Sequence, residues 1–338
     1  MISSTSSIHT PKRVRLDLLA NPFGPTDRVY DAISANDPYG ESSESLANRL
    51  RDRLGASAGV PASWIVLANG IDELHAMIAR WRTEHGPIVT FPPSDPQLDA
   101  WIGQYRGQIE AMPRLNGFRL PIEAGESGLP RGSTALVMSP NDPSGSIIGV
   151  QDVVRLTRQC SVVVIDERHG AYSLRSILPM VREFENLIVI QTMETFAGLT
   201  AMPLAWAVAP PSMAQKIGQQ GRPSGVSRLA LVAGLAVLDD REHVMQTVKW
   251  VMREKSRLFR QIRKLNMISP PYPSWGNFLL CRFERGSSDF FVPRLAERGI
   301  DVYRPPHANL RNHVRISAVS AEATNALKKA LVDIALEL

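Results

Sequence analysis

The chain reads as an α/β protein: a large lobe built on a doubly wound, mainly parallel sheet, with a smaller α/β lobe beside it. Three observations predict this. Six short apolar runs alternate with helical stretches, the pattern of repeated β-α-β units. The length of 338 residues exceeds the roughly 250 to 300 at which a single core stops growing, so two joined lobes are expected. Hydrophobic residues at 44% and charged residues at 21% are ordinary for a folded chain and exclude a mainly disordered one.

In chain order, the first forty residues form an arm punctuated at Asn21-Pro22-Phe23-Gly24-Pro25 and turning at Asp37-Pro38-Tyr39-Gly40. Apolar residues at helical spacing predict a helix over Glu44 to Leu54, ended by Gly55. The six runs are Ile65 to Leu67, Ile88 to Phe91, Ala135 to Met138, Val162 to Ile165, Leu187 to Gln191 and Leu204 to Val208. A helix beginning at Ala230 to Leu238 continues, with a break, through Arg241 to Lys264 and links the lobes. Strands at Asn277 to Cys281 and Val314 to Ile316, with a helix over Ala321 to Leu338, build the small lobe. The expected division is an arm at 1–40 belonging to the small lobe, a large domain at 41–243 and a small domain at 244–338.

Composition narrows the function. The net charge of +5 comes from 38 basic and 33 acidic side chains, intermixed along the chain. No long basic run favours nucleic acid, and Lys12-Arg13-Val14-Arg15 reads as a solvated arm. Cys160 and Cys281 lie far apart in apolar surroundings, which predicts reduced core thiols and a cytoplasmic setting. No apolar run approaches the ~20 residues of a membrane span, so no membrane is expected as partner.

Seven motifs then occur in one order. They are Ala20 to Pro25; Ala68-Asn69-Gly70-Ile71-Asp72-Glu73-Leu74; Ser139-Pro140-Asn141-Asp142-Pro143-Ser144-Gly145; Asp166-Glu167 closing an apolar run; Thr192 to Trp206; Ser274-Trp275-Gly276-Asn277-Phe278; and Leu310 to Ser317. Together they resemble histidinol-phosphate aminotransferase and its class I/II, pyridoxal-phosphate-dependent relatives. That resemblance implies the fold-type I aminotransferase-like fold, with a seven-stranded-type sheet in the large lobe, and a homodimer that completes each cleft from the partner.

The resemblance also implies site residues. The turn through Ile71 and Asp72 is the phosphate cup, Asp166 pairs with the pyridinium, Tyr39 reaches the neighbouring subunit's phosphate, and Arg315 grips the substrate α-carboxylate. Asn277 and Asn21 line the same cleft. Thr195 stands where the Schiff-base lysine belongs, and no lysine lies between Lys12 and Lys216. A hydroxyl cannot form an imine. Glu194 stands at the loop serine, Pro203 at the phosphate arginine, Asp95 at the ring-stacking aromatic, Asp142 at an asparagine and His169 at a tyrosine.

Two cations are lost and up to three carboxylates gained where a phosphate should sit, which predicts a site with an excess of negative charge. The expectation is a degenerate aminotransferase-fold protein that does not transaminate. It binds, or acts without pyridoxal phosphate on, an amino-acid-like carboxylate, whose cationic end faces Asp95, Asp142, Asp166 and Glu194. Two alternatives stand beside it. One is an enzyme holding pyridoxal or pyridoxamine phosphate noncovalently, with His169 as base and Thr195 as its hydroxyl partner. The other is a non-catalytic subunit of an intact aminotransferase. A metal held by His169 with Asp142, Asp166 or Asp95 is chemically possible but not expected. His75 and Trp101 read as packing residues on helices.

Overall fold

The computed structural model describes residues 13–37, 39–104, 108–122, 128–222 and 225–338; Lys12 of the basic arm and Pro38 of the turn lie outside the described residues. The strands are β1 (Val14–Leu16), β2 (Ile65–Ala68), β3 (Ile88–Thr90), β4 (Ile109–Ala111), β5 (Thr134–Met138), β6 (Val162–Asp166), β7 (Leu187–Thr192), β8 (Ala205–Val208), β9 (Phe278–Arg282), β10 (Ile300–Val302) and β11 (His313–Ser317). The helices are α1 (Asp27–Ser34), α2 (Ser43–Ala58), α3 (Gly70–Arg82), α4 (Pro96–Gln104), α5 (Val150–Gln159), α6 (Gly170–Ser173), α7 (Pro211–Gly218), α8 (Arg228–Asp239), α9 (Arg241–Ile262), α10 (Ser288–Glu297) and α11 (Ala321–Ala335).

Seven strands form one sheet in the order β2-β8-β7-β6-β5-β3-β4, with only β8 running against its neighbours. Strands buried on both faces read as continuous apolar runs, and period-two alternation splits them cleanly. Ala135, Val137, Val163 and Ile165 pack with α2, α5 and α8, whereas Leu136, Met138, Val162 and Val164 pack with α3, α4 and α7. All six predicted runs are strands of this sheet. The seventh, β4, is a three-residue edge strand too short to show a period.

One boundary differs from expectation. Helix α2 continues through Gly55 and ends at Gly59, which adopts φ +69. Gly55 serves close packing instead, since a Cβ there would lie 2.7 Å from the Val60 carbonyl oxygen. Only Gly59 takes the left-handed conformation that stops a helix.

In the second lobe β9 pairs antiparallel with β11, and β1 of the arm pairs parallel with β10. Leu16, Leu258, Phe291, Val314 and Leu327 close a separate core there. The predicted long helix breaks at Asp240 into α8 and α9. Val244, early in α9, packs with the large lobe and Leu258, late in it, with the small one.

Candidate active site at the lobe boundary

The C-terminal ends of the parallel strands gather the predicted side chains, as open α/β sheets do. Two glycines let the motifs meet. Gly198, φ +72, lies so close to the Gly24 backbone that a Cβ would collide with it, and Gly145, φ +73, is pressed by Ser274, whose neighbour Trp275 donates its N–H to the Gly145 carbonyl at 2.8 Å.

Asp166 ends β6 with its side chain fully buried, and three groups converge on it. Arg168 donates from Nε (2.9 Å) and Nη2 (2.6 Å) to Oδ2, and its backbone N–H donates to Oδ1 at 2.9 Å. His75 Nε2, from α3, lies 3.2 Å from the same Oδ2. Burial alone would raise the Asp166 carboxyl; the Arg168 cation and His75 instead hold it well below the usual carboxylate range. The remaining arm of Arg168, Nη1, donates to Asp95 at 2.9 Å, and Trp101 lies with its ring 5.6 Å from the guanidinium while stacking on His75 at 5.1 Å.

Arg168, His75 and Trp101 are the side chains that the motifs do not single out. His75 and Trp101, expected as packing residues, are parts of this cluster. The available signal was a large cation, Arg168, two residues after the strand-end Asp166.

The phosphate-cup turn is also met from within. Glu194 Oε1 accepts the Ile71 N–H at 2.9 Å and the Thr192 hydroxyl at 2.8 Å, so a carboxylate caps the first turn of α3. A Cβ at Gly70 would lie 2.8 Å from Pro203 Cβ and 2.9 Å from Glu194 Oε1, so little space remains over that turn. Asp72 follows in the same first turn. Thr195 donates its hydroxyl to the Arg168 carbonyl at 2.5 Å, and its own carbonyl accepts the Asn21 N–H at 2.7 Å.

Arg315, on β11, bridges the lobes. Its Nη1 donates to Asp142 Oδ2, its Nη2 donates to the Asp17 carbonyl at 2.5 Å, and its guanidinium lies 4.1 Å from the Tyr303 ring centre. Burial raises the Asp142 carboxyl and the Arg315 cation opposes this. His169 is buried with neither ring nitrogen bonded, its ring edge-on to Phe278 at 5.6 Å. Burial first, then the Arg168 cation, pushes its imidazole down to about 3, so it is neutral near pH 7.

The excess of negative charge predicted from the sequence is partnered but not removed: Arg168 contacts both Asp166 and Asp95, Arg315 contacts Asp142, and Glu194 caps α3, so two cations face four carboxylates, and Asp142 keeps one buried oxygen, Oδ1, without a hydrogen bond. Asn21 gives its amide to the Phe196 carbonyl (2.7 Å) and the Thr247 hydroxyl (2.8 Å), fixing the arm to the loop and α9. Asn277 donates to the Leu19 carbonyl at 2.9 Å and leaves its buried Oδ1 unbonded. Tyr39 stands apart from its own cleft, 95% exposed.

Among the described residues, no lysine takes part in the hydrogen bonds or ion pairs of the Asp166 cluster. Lys216 is exposed on α7. Lys255 of α9 is buried, and its ammonium donates to the carbonyls of Ser274 (2.6 Å) and Gly276 (2.9 Å), with burial lowering it to about 8. Among the described residues no helix is long and apolar enough to cross a membrane.

A mostly parallel sheet with a helix N-terminus, a strand-end aspartate and a small-lobe arginine around one cleft defines the fold-type I class of α/β proteins. The profile for aminotransferase class I and II matches residues 33–334, and the chain belongs to that family. Its relatives include histidinol-phosphate aminotransferase 1, chloroplastic, of Arabidopsis thaliana, 30% identical over 324 residues that cover 94% of this chain and 77% of that one. Among solved structures, the histidinol-phosphate aminotransferase of Clostridium acetobutylicum superposes with a TM-score of 0.89 at 18% identity, covering 96% of this chain and 99% of that one. The Sinorhizobium meliloti enzyme, in complex with pyridoxal-5'-phosphate, gives 0.84 at 23% identity over 95% and 90%.

Proposed function

We propose that this chain is a member of the aminotransferase family that holds no vitamin B6 cofactor, does not transaminate, and binds an amino-acid-like carboxylate at the lobe boundary. One observation carries the reading: the contacts that the resemblance assigns to the pyridinium and the phosphate are taken by the protein's own Arg168 on Asp166 and Glu194 on the Ile71 N–H. A pyridine nitrogen would have to displace a guanidinium bound by two side-chain contacts. A phosphate would meet the Glu194 carboxylate, with Pro203 where an arginine would offset it. At ~4 Å and an effective dielectric near 20, each such unit repulsion is worth about 4 kcal/mol before screening. The residues present therefore do not fit the cofactor.

With Thr195 tied to a backbone carbonyl and His169 lowered to about 3, proton transfer by that pair has no support near neutral pH. The free aromatic ring of Tyr39 supports a homodimer in which the neighbouring subunit covers it, and the two unpaired buried thiols, Cys160 and Cys281, support a cytoplasmic setting.

Absorption spectra of the purified protein titrated with pyridoxal phosphate test the cofactor claim. The expected result is the spectrum of free cofactor added to that of the protein. An imine band, or aldehyde cofactor retained at one per chain after dialysis, overturns it.

A further inference from the structure

We infer that the cavity on the α2 and α8 face of the sheet is a second ligand site, built for a small aryl-substituted carboxylate whose ring fills the cavity and whose anion is held by Arg175 and Arg241 at the opening. This site is separate from the lobe-boundary cleft, and the inference stands whether or not that cleft holds a cofactor.

The cavity measures about 260 Å³, the space of about nine waters at ~30 Å³ each, which suits a ligand of about that many non-hydrogen atoms. Its floor is apolar: Leu54 of α2, Met193 after β7, Trp206 of β8 and Val237 of α8 line it and are buried, and the half-buried Phe196 adds a second ring. Two aromatic rings and a thioether favour an aryl body over an aliphatic one. Gly170 and Ala171, at the start of α6, line it with little or no side chain, which leaves the space open.

The charges are sorted by depth. Arg175 and Arg241 line the same cavity yet are exposed, which puts them at its opening. Among the described residues neither guanidinium has a carboxylate partner, and Arg241 makes a single side-chain bond, from Nη1 to the Ser57 hydroxyl at 3.1 Å. Glu167, the one acid in the lining, is buried and already accepts hydrogen bonds from Ser176, Ile177 and Gln191. Two cations without a counter-charge above an apolar floor are the complement of an anion carried on an apolar body, whereas the acid that an ammonium would need is engaged by donors of its own protein.

Leu174 points the same way. It lines the cavity, is 72% exposed and adopts φ +53, a left-handed conformation that a residue with a side chain rarely takes. An apolar side chain held in solvent by a strained backbone at the edge of an apolar cavity is covered once a ligand is seated there. The cleft and this cavity share one wall, the loop after β7. Met193 and Phe196 line the cavity, while Glu194 and Thr195 between them bond to Ile71 and Arg168. Asp142, Asp166, Arg168 and Arg315 take no part in the lining.

Calorimetric titration of the full chain tests this with four probes: phenylacetate, its uncharged amide phenylacetamide, the amine phenethylamine, and acetate, which lacks the ring. Phenylacetate is expected to bind, and each of the others to bind about 10-fold more weakly or worse, because each lacks either the charge-assisted contact or the buried ring. Arg175→Gln combined with Arg241→Gln, both on exposed side chains, should weaken phenylacetate by about 10-fold and bring it level with the amide. Ala171→Met, checked for folding by circular dichroism, should fill the cavity and abolish binding. Equal binding of phenylacetate and phenylacetamide to the wild type overturns the inference, as does absence of phenylacetate binding at millimolar concentration. Phenylacetate affinity unmoved by the double arginine variant also overturns it, by placing the probe elsewhere. These read-outs stand even if Ala171→Met does not fold.

Discussion

Asp166 and Glu167 are neighbours in sequence and both buried, yet their carboxyl groups move in opposite directions. Asp166 points to the α3 face of the sheet and meets Arg168 and His75, and it is held low. Glu167 points to the α2 and α8 face, into a cavity of about 260 Å³ whose lining includes Leu54, Met193, Phe196 and Trp206 together with Arg175 and Arg241. Its oxygens accept the Ser176 hydroxyl (2.6 Å), the Ile177 N–H (2.6 Å) and the Gln191 amide (2.9 Å), and burial raises it. The two faces teach that partners, more than burial, decide the charge state of a carboxyl. One charged neighbour, Arg168, together with the His75 contact outweighs desolvation on one side, while three neutral donors do not on the other.

The largest effect expected from breaking this contrast is at Arg168. Arg168→Ala strands Asp166 and Asp95, and a loss of about 3–5 kcal/mol in urea unfolding is expected. A loss below about 1 kcal/mol would mean that His75 alone suffices for Asp166.

Next comes His169, which sits on the ionic face as a neutral group. Its folded value of about 3 lies below the ordinary 6.5. The unfolded chain therefore binds a proton that the folded chain refuses, and stability falls as pH drops from about 6.5 toward about 3. The full window amounts to at most about 5 kcal/mol. Unfolding free energies measured at several pH values should show this slope in the wild type, and a shallower one in His169→Gln.

On the neutral face the expected change is smaller. Glu167→Gln keeps the shape and one acceptor but turns an amide N–H toward existing donors, for about 1–2 kcal/mol. A cost matching that of Arg168→Ala would place a hidden charge on this face. The smallest effect is the most diagnostic for function: Thr195→Lys alone should produce no measurable transamination in a coupled assay with pyridoxal phosphate, because Arg168 and Glu194 remain in place. Robust turnover from that single change would show that the cup still accepts a phosphate.

Much of this was legible in advance. The six apolar runs are strands because a strand covered on both faces needs apolar residues throughout, whereas the short strands β4 and β10 each carry an acidic residue, Glu110 and Asp301, and offer no continuous apolar run. The strand-end aspartate and the β11 arginine were locatable because motifs at strand ends carry their own turn chemistry. Helix α2 was misjudged at Gly55 because a glycine that stops a helix and one that admits a neighbouring carbonyl look alike in sequence.

By itself the sequence determined the fold class, the order of the site motifs, and the absence of any lysine between Lys12 and Lys216, since all three depend on residue type and spacing along the chain. Only the tertiary structure decided which charges meet. Asp95 lies 73 residues from Arg168 and Asp142 lies 173 from Arg315, and a sum of formal charges cannot tell which carboxylates a cation bridges and which stand alone. Coulomb energy depends on separation and local dielectric, and both are fixed when the strands align and the lobes meet.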